Sequence, residues 1–167
     1  AVDELKARRS GKTEAEIAVS HLPRPSIELP LRSYIPEEYV TDLEIRIALY
    51  KKLTKVSRVE AIKALEQEFA DRFGEPPPEV RNLLYAVKVK VLAAKSGIES
   101  ISTQEGELVI RRFEGMRFNV PKVEPFLRGL RLPAGGYFFD ALQLRLNPKR
   151  IGERWQGVLE EVVGKIT

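Results

Sequence analysis

SRVEAIKALEQEFADRFGEPPP, residues 57–78, carries a helix start, an apolar stripe and a helix stop in a single run. Ser57 and Glu60 have capping-box spacing, in which each side chain accepts from the other residue's free backbone N–H. Val59, Ile62, Leu65, Phe69 and Phe73 recur at helical period and predict one buried stripe. Gly74 can take the positive φ that closes a helix, and Pro76, Pro77 and Pro78 forbid its continuation.

At roughly 100° per residue, Glu68, Asp71 and Arg72 fall together beside that stripe, with Ala61 and Ala64 close by. Small residues flanked by charges of both signs let a partner surface approach closely. The same spacing also suits a solvated flank with a local Glu68–Arg72 pair worth roughly 0.2–0.5 kcal/mol.

Working back from this helix, Thr41 to Lys55 predicts another, begun by a Thr41/Glu44 capping box. Its inward face is expected to be Leu43, Ile47, Tyr50 and Leu53, with Asp42 and Arg46 paired at i,i+4 on the surface. The bend at Lys55–Ser57 makes the two helices a hairpin. Before them, Ser26–Arg32 alternates Ile27, Leu29 and Leu31 on one face and reads as an edge strand marked by Pro30. Residues 1–27 are expected to be a linker or the tail of a preceding domain, and 28–167 a C-terminal α+β domain. The Ser-Gly-Lys-Thr at 10–13 is not a phosphate-binding loop, because Lys6 stands where that motif needs glycine and no apolar strand precedes it.

Working forward, Pro78 opens a third helix to about Lys95, with Val80, Leu83, Leu84, Val87, Val91 and Leu92 inward and Gly97 closing it. The period then changes to alternation. Ile98–Thr103 and Glu107–Phe113 predict two strands joined at Gln104-Glu105-Gly106. Val120–Gly129 predicts a short helix, with Val123, Phe126 and Leu127 inward. Tyr137–Asn147 predicts one strand with Leu142, Leu144 and Leu146 on one face. A last helix from Pro148 carries Ile151, Trp155, Val158, Leu159, Val162 and Val163 inward. The expected fold class is α+β: a helical layer of three main helices packed with a small, mainly antiparallel sheet and a closing C-terminal helix.

The composition bounds the chemistry. The 167 residues are 43% hydrophobic, enough for one domain with a substantial core, and 28 basic residues nearly balance 24 acidic ones. Such a mixed surface does not mark a nucleic-acid binder by composition alone. With no cysteine, thiolate metal sites and a cysteine nucleophile are excluded, and with His21 as the single histidine a histidine-centred metal site or triad is not expected. No run reaches the roughly 20 apolar residues of a membrane span, no signal peptide is visible, and a cytoplasmic location is expected. The only methionine is Met116, so the chain is expected to be a piece of a longer polypeptide. No HExxH, nucleophile elbow or glycine-rich dinucleotide fingerprint occurs. A binding or regulatory module without catalytic residues, cofactor or metal is therefore expected.

Three segments together resemble the C-terminal domain of bacterial transcription-repair coupling factors: ELPLRSYIPEEYVTDLEIRIALYKKL (28–53), EFADRFGEPPPEVRNLL (68–84) and the LAAKSGIESI that follows. The likeness covers residues 28 to about 115 well and is looser beyond. In that family an ATP-driven DNA translocase displaces stalled RNA polymerase and recruits the UvrA repair protein. The resemblance implies a domain that packs on the parent's UvrB-like N-terminal module, masks its UvrA-binding surface and restrains the motor. It also carries the partner-binding role to Glu68, Asp71 and Arg72, the flank that helical geometry singles out. An isolated fragment with an uncovered docking face is expected to be able to self-associate. The alternative is a DNA-binding accessory domain of a helicase-like protein using Arg81, Lys88, Lys90, Arg111 and Arg112.

Overall fold

The computed structural model describes residues 25–166. Residues 1–24 of the expected linker 1–27, with the rejected Ser-Gly-Lys-Thr and His21, lie outside the described residues, while its last two residues, Ser26 and Ile27, form β1 of the sheet. In chain order come β1 (Ser26–Ile27), α1 (Leu43–Thr54), α2 (Val59–Phe73), α3 (Pro78–Lys95), β2 (Ile98–Gln104) and β3 (Glu107–Arg112). They are followed by α4 (Val120–Gly129), β4 (Tyr137–Phe139), β5 (Gln143–Leu146), α5 (Pro148–Ile151) and α6 (Trp155–Lys165). The strands form one sheet in the order β1-β2-β3-β5-β4, antiparallel except for the parallel pair β1–β2. The α+β class is thereby established.

Two apolar cores share α3. Toward the front, Val80, Leu84 and Val91 meet Leu49 and Leu53 of α1 and Ile62, Leu65 and Phe69 of α2. Toward the rear, Val89 and Ala93 meet Ile101, Ile110, Leu144 and Leu146 of the sheet and Leu159, Val162 and Val163 of α6. Helical periodicity picked out the front face of α3 but not Val89 and Ala93, both 0% exposed. Polar contacts fix α6 against α3. Tyr85 Oη donates to the Gln156 carbonyl at 2.5 Å, Ser96 Oγ donates to the Val163 carbonyl at 2.5 Å, and Lys88 pairs with Glu160.

The β2–β3 hairpin turns through Glu105 and Gly106, at φ 52° and 80°, the two positive values that a type I′ turn requires. Ile98 and Ile101, three residues apart, are both fully buried because a register shift between Ile98 and Ser100 restores the inward face.

Several local expectations are corrected. Neither capping box forms. Asp42 caps α1, its Oδ1 accepting from the N–H of Glu44 and Ile45 at 2.9 and 3.2 Å, while α2 starts after Arg58 with no side-chain cap. Arg46 does not pair with Asp42 but donates through Nη1 to the Val40 carbonyl at 2.8 Å. In α1 the inward residues are Ile45, Leu49 and Leu53, leaving Leu43, Ile47 and Tyr50 exposed at 59%, 45% and 36%. The expected strand over Ser26–Arg32 is hydrogen-bonded as strand only at Ser26–Ile27, although Glu28 N–H still donates to Ile101 O at 2.8 Å. The run Tyr137–Asn147 is two strands, because Asp140 Oδ1 accepts from the N–H of Leu142 and Gln143 at 2.8 and 2.9 Å and folds the chain back. Leu142 at that turn is 63% exposed. The last helix breaks at Gly152, with φ +87°, into α5 and α6.

With one helix serving both cores, damage in front should be felt at the rear. Phe69→Ala, which removes a ring that is 1% exposed, should cost about 3–5 kcal/mol. In urea, Trp155 fluorescence from the rear core and helical circular dichroism should then shift together to one lower midpoint. Separated transitions would contradict the shared wall.

Candidate functional site

α2 buries Ile62, Leu65 and Phe69 and packs Val59 and Phe73 against the same core, as its apolar spacing predicts. Gly74, at φ +91°, ends it with its N–H on the Ala70 carbonyl. The C-terminal turn is then fixed from outside by Tyr39. Its single hydroxyl proton is shared between the carbonyls of Gly74 at 2.7 Å and Phe69 at 3.1 Å, and its ring meets Phe73 edge-on at 5.8 Å. Burial pushes the Tyr39 hydroxyl above its ordinary pKa, so it remains a donor.

That rigid end carries the charged flank. Asp71 and Arg72 are exposed, and Glu68 is half-buried at the margin. Glu68 Oε1 accepts from Lys52 Nζ of α1 at 2.7 Å, and its Oε2 accepts from Arg72 Nη1 at 3.3 Å. The Arg72 guanidinium lies over the Phe73 ring at 4.9 Å. Asp71 Oδ1 accepts from the neutral amide of Gln67 at 2.9 Å. Glu68 is therefore satisfied by two cations, whereas Asp71 has, among the described residues, only a neutral donor. The hydrogen bond from Lys52, followed by its charge and by Arg72, outweighs desolvation and holds the Glu68 carboxyl below its ordinary pKa.

Beside Glu68 the surface dips into an open groove of about 350 Å³ between the end of α1 and the start of α2. Val56, Ala61, Ala64 and Leu65 make its apolar wall, and Lys52, Lys55 and Arg58 stand on its rim. The two alanines take the place next to the charges that sequence geometry assigns them. The sequence reading missed Lys52 and Gln67. Gln67 lies four residues before Asp71 and was visible at helical spacing, but Lys52 arrives from another helix and no local pattern could name it. Among the described residues, no helix is long and apolar enough to cross a membrane, and no group of three or more acidic or histidine side chains could hold a metal.

The sequence model of the TRCF domain matches residues 29–122, more than half of the chain. The chain belongs to the TRCF domain family. It is 38% identical over 90 residues to the transcription-repair-coupling factor of Rickettsia typhi, an alignment that covers 54% of this chain and 8% of that protein. It is 34% identical over 108 residues to the transcription-repair-coupling factor of Staphylococcus aureus strain USA300, covering 65% of this chain and 9% of that protein. The TRCF domain thus spans under a tenth of the curated relatives it matches. In fold it is similar to a crystal structure of the C-terminal domain of transcription-repair coupling factor, with a TM-score of 0.68 and 23% identity over 84% of this chain and 89% of that one. The match starts at Leu29, after β1, and ends inside α4, so α1, α2, the shared helix α3 and the charged flank of this TRCF domain fall within it.

Because the folded-state pKa of Glu68 is lowered, its stabilising contribution is present above the unfolded value and is lost as pH falls through the folded one. Glu68→Gln should therefore lower the urea midpoint at neutral pH. The gap from the unsubstituted chain should close as pH drops below about 4, the ordinary range of a glutamate. A gap independent of pH would show that the carboxylate charge is not what Lys52 and Arg72 hold.

Proposed function

We propose that this TRCF domain is a non-catalytic regulatory interaction domain of a transcription-repair coupling DNA translocase. It docks through Glu68, Asp71 and Arg72 on the UvrB-like N-terminal module of its cytoplasmic parent, masks the UvrA-binding surface there and restrains the motor. The parent in turn engages RNA polymerase, UvrA and DNA. The observation that carries this reading is the outward flank of α2, where Asp71 and Arg72 stand exposed on a helix end pinned by Tyr39.

The geometry supports a clamp that can let go. Exposed ion pairs are each worth about 0–1 kcal/mol, so Glu68 can exchange Lys52 or Arg72 for a partner's cation at little cost to the fold. Asp71, with only an amide donor, gains most from a cationic partner. Ala61 and Ala64 leave the adjoining groove open to an inserted side chain. The DNA-binding alternative gains less support. Of its five cations, Arg81 pairs with Glu75 at 2.5 Å and Lys88 pairs with Glu160, while Arg112 donates to the Arg117 carbonyl at 3.0 Å.

The test is a titration of this chain against the separately purified UvrB-like module of the same parent. Asp71→Lys should weaken binding at least about tenfold, the scale of a lost charge-assisted contact, with an unchanged urea midpoint. Glu68→Lys should weaken binding similarly while also lowering the midpoint slightly. Affinity unchanged by both substitutions would remove these residues from the interface.

A further inference from the structure

Among the described residues, a different surface of the helical layer is also left uncovered. Leu43, Ile47 and Tyr50 follow one another at i, i+4 and i+7 on the outer side of α1 and remain 59%, 45% and 36% exposed. The stripe is about 10 Å long, at 1.5 Å per residue over seven residues. Tyr50 is held in place, its hydroxyl accepting from the Ile35 N–H at 2.7 Å. On one flank of the stripe stand Glu44 and Lys51, also seven residues apart, with the small Ala48 between them. Among the described residues, neither charged side chain is engaged in an ion pair. Lys52, which reaches Glu68, lies roughly 140° around α1 from Ile47 at 100° per residue, so this stripe is separate from the docking flank of α2.

The order of charges selects the occupant. A carboxylate near the N-terminal end of α1 and an ammonium near its C-terminal end, on the same flank of one apolar stripe, complement a copy of themselves turned end for end. A two-fold axis across the contact, near Ile47, sets Ile47 against Ile47 of a second molecule and brings Leu43 toward its Tyr50. On the flank, Glu44 of each copy then faces Lys51 of the other, and the two helix dipoles oppose. A parallel two-fold pair would instead set this flank against the opposite flank of the second helix, leaving Glu44 and Lys51 without each other.

We propose that this face of α1 is a self-complementary contact through which two copies of the chain pair antiparallel. A stripe this short falls well below the roughly 800 Å² per partner of a standard stable interface. The pair therefore forms and dissociates with concentration rather than standing as a constitutive dimer.

Sedimentation equilibrium of the 167-residue chain from micromolar to millimolar concentration should show a reversible monomer–dimer equilibrium. Ile47→Glu, at a site already 45% exposed, should abolish the dimer and leave circular dichroism and Trp155 fluorescence unchanged. Glu44→Lys and Lys51→Glu should each weaken pairing about two- to fivefold, and the two together should restore it, because the cross-pairs are rebuilt with their signs exchanged. A chain that stays monomeric throughout, or a dimer indifferent to Ile47→Glu, would overturn the proposal. So would a double variant weaker than either single one.

Discussion

The fold depends on burying α3 on opposite sides. A helix apolar on one stripe needs one covering layer, but α3 presents Val80, Leu84 and Val91 to the helices and Val89 and Ala93 to the sheet and α6. Neither half of the molecule is closed without it. The helical layer supplies only three helices and the connecting segment Ile35–Val40. The sheet covers one face and needs α3, α4 and α6 on its apolar side. The polar contacts between α3 and α6 through Tyr85 and Ser96 satisfy groups that this burial would otherwise strand. Burial raises the pKa of the Tyr85 hydroxyl far above its ordinary range, aided by the Glu160 charge, which keeps it a donor to Gln156.

This arrangement explains what could be read from the sequence. The α2 stripe was legible because α2 has one apolar face and one core to meet. α3 was legible in its length, from Pro78 to Lys95, but only half legible in its packing, because a one-sided template cannot register a helix buried on two sides. In α1 two stripes compete. Ile45–Leu49–Leu53 and Leu43–Ile47–Tyr50 both keep helical period, and periodicity alone cannot say which turns inward. Asp42 decides the start of the helix, and Arg46, bound to the Val40 carbonyl, marks the boundary between the two stripes. The rear strands failed for a different reason. Asp140 makes a turn with its side chain, and nothing in the alternation of leucines across residues 142–146 announces it.

The candidate site was legible to the same extent. Glu68, Asp71 and Arg72 share a flank because their spacing is a property of α2 alone. Their inequality was not legible, since it comes from tertiary neighbours. Lys52 crosses from α1 to Glu68, Phe73 underlies Arg72, and Gln67 is left to satisfy Asp71. Three residues that look equivalent on a helical wheel are thus one occupied acceptor, one stacked cation and one carboxylate with coordination to spare.

That inequality bears on how a docking surface can be both specific and releasable. If all three charges were free, a partner would gain three charge-assisted bonds but would have to strip water from three unpaired groups at once. With Glu68 already bridged, the proposed docking would exchange one set of partners for another, and the net gain would be concentrated at Asp71. Undocking would return Glu68 to Lys52 and Arg72, the partners it holds in the free domain. The rigid seat under these residues, from the Tyr39 hydroxyl on the last carbonyls of α2 to the aromatic contacts of Phe69 and Phe73, would hold the geometry constant between the proposed docked and free states. Side-chain exchange on a fixed helix end requires no rearrangement of either core.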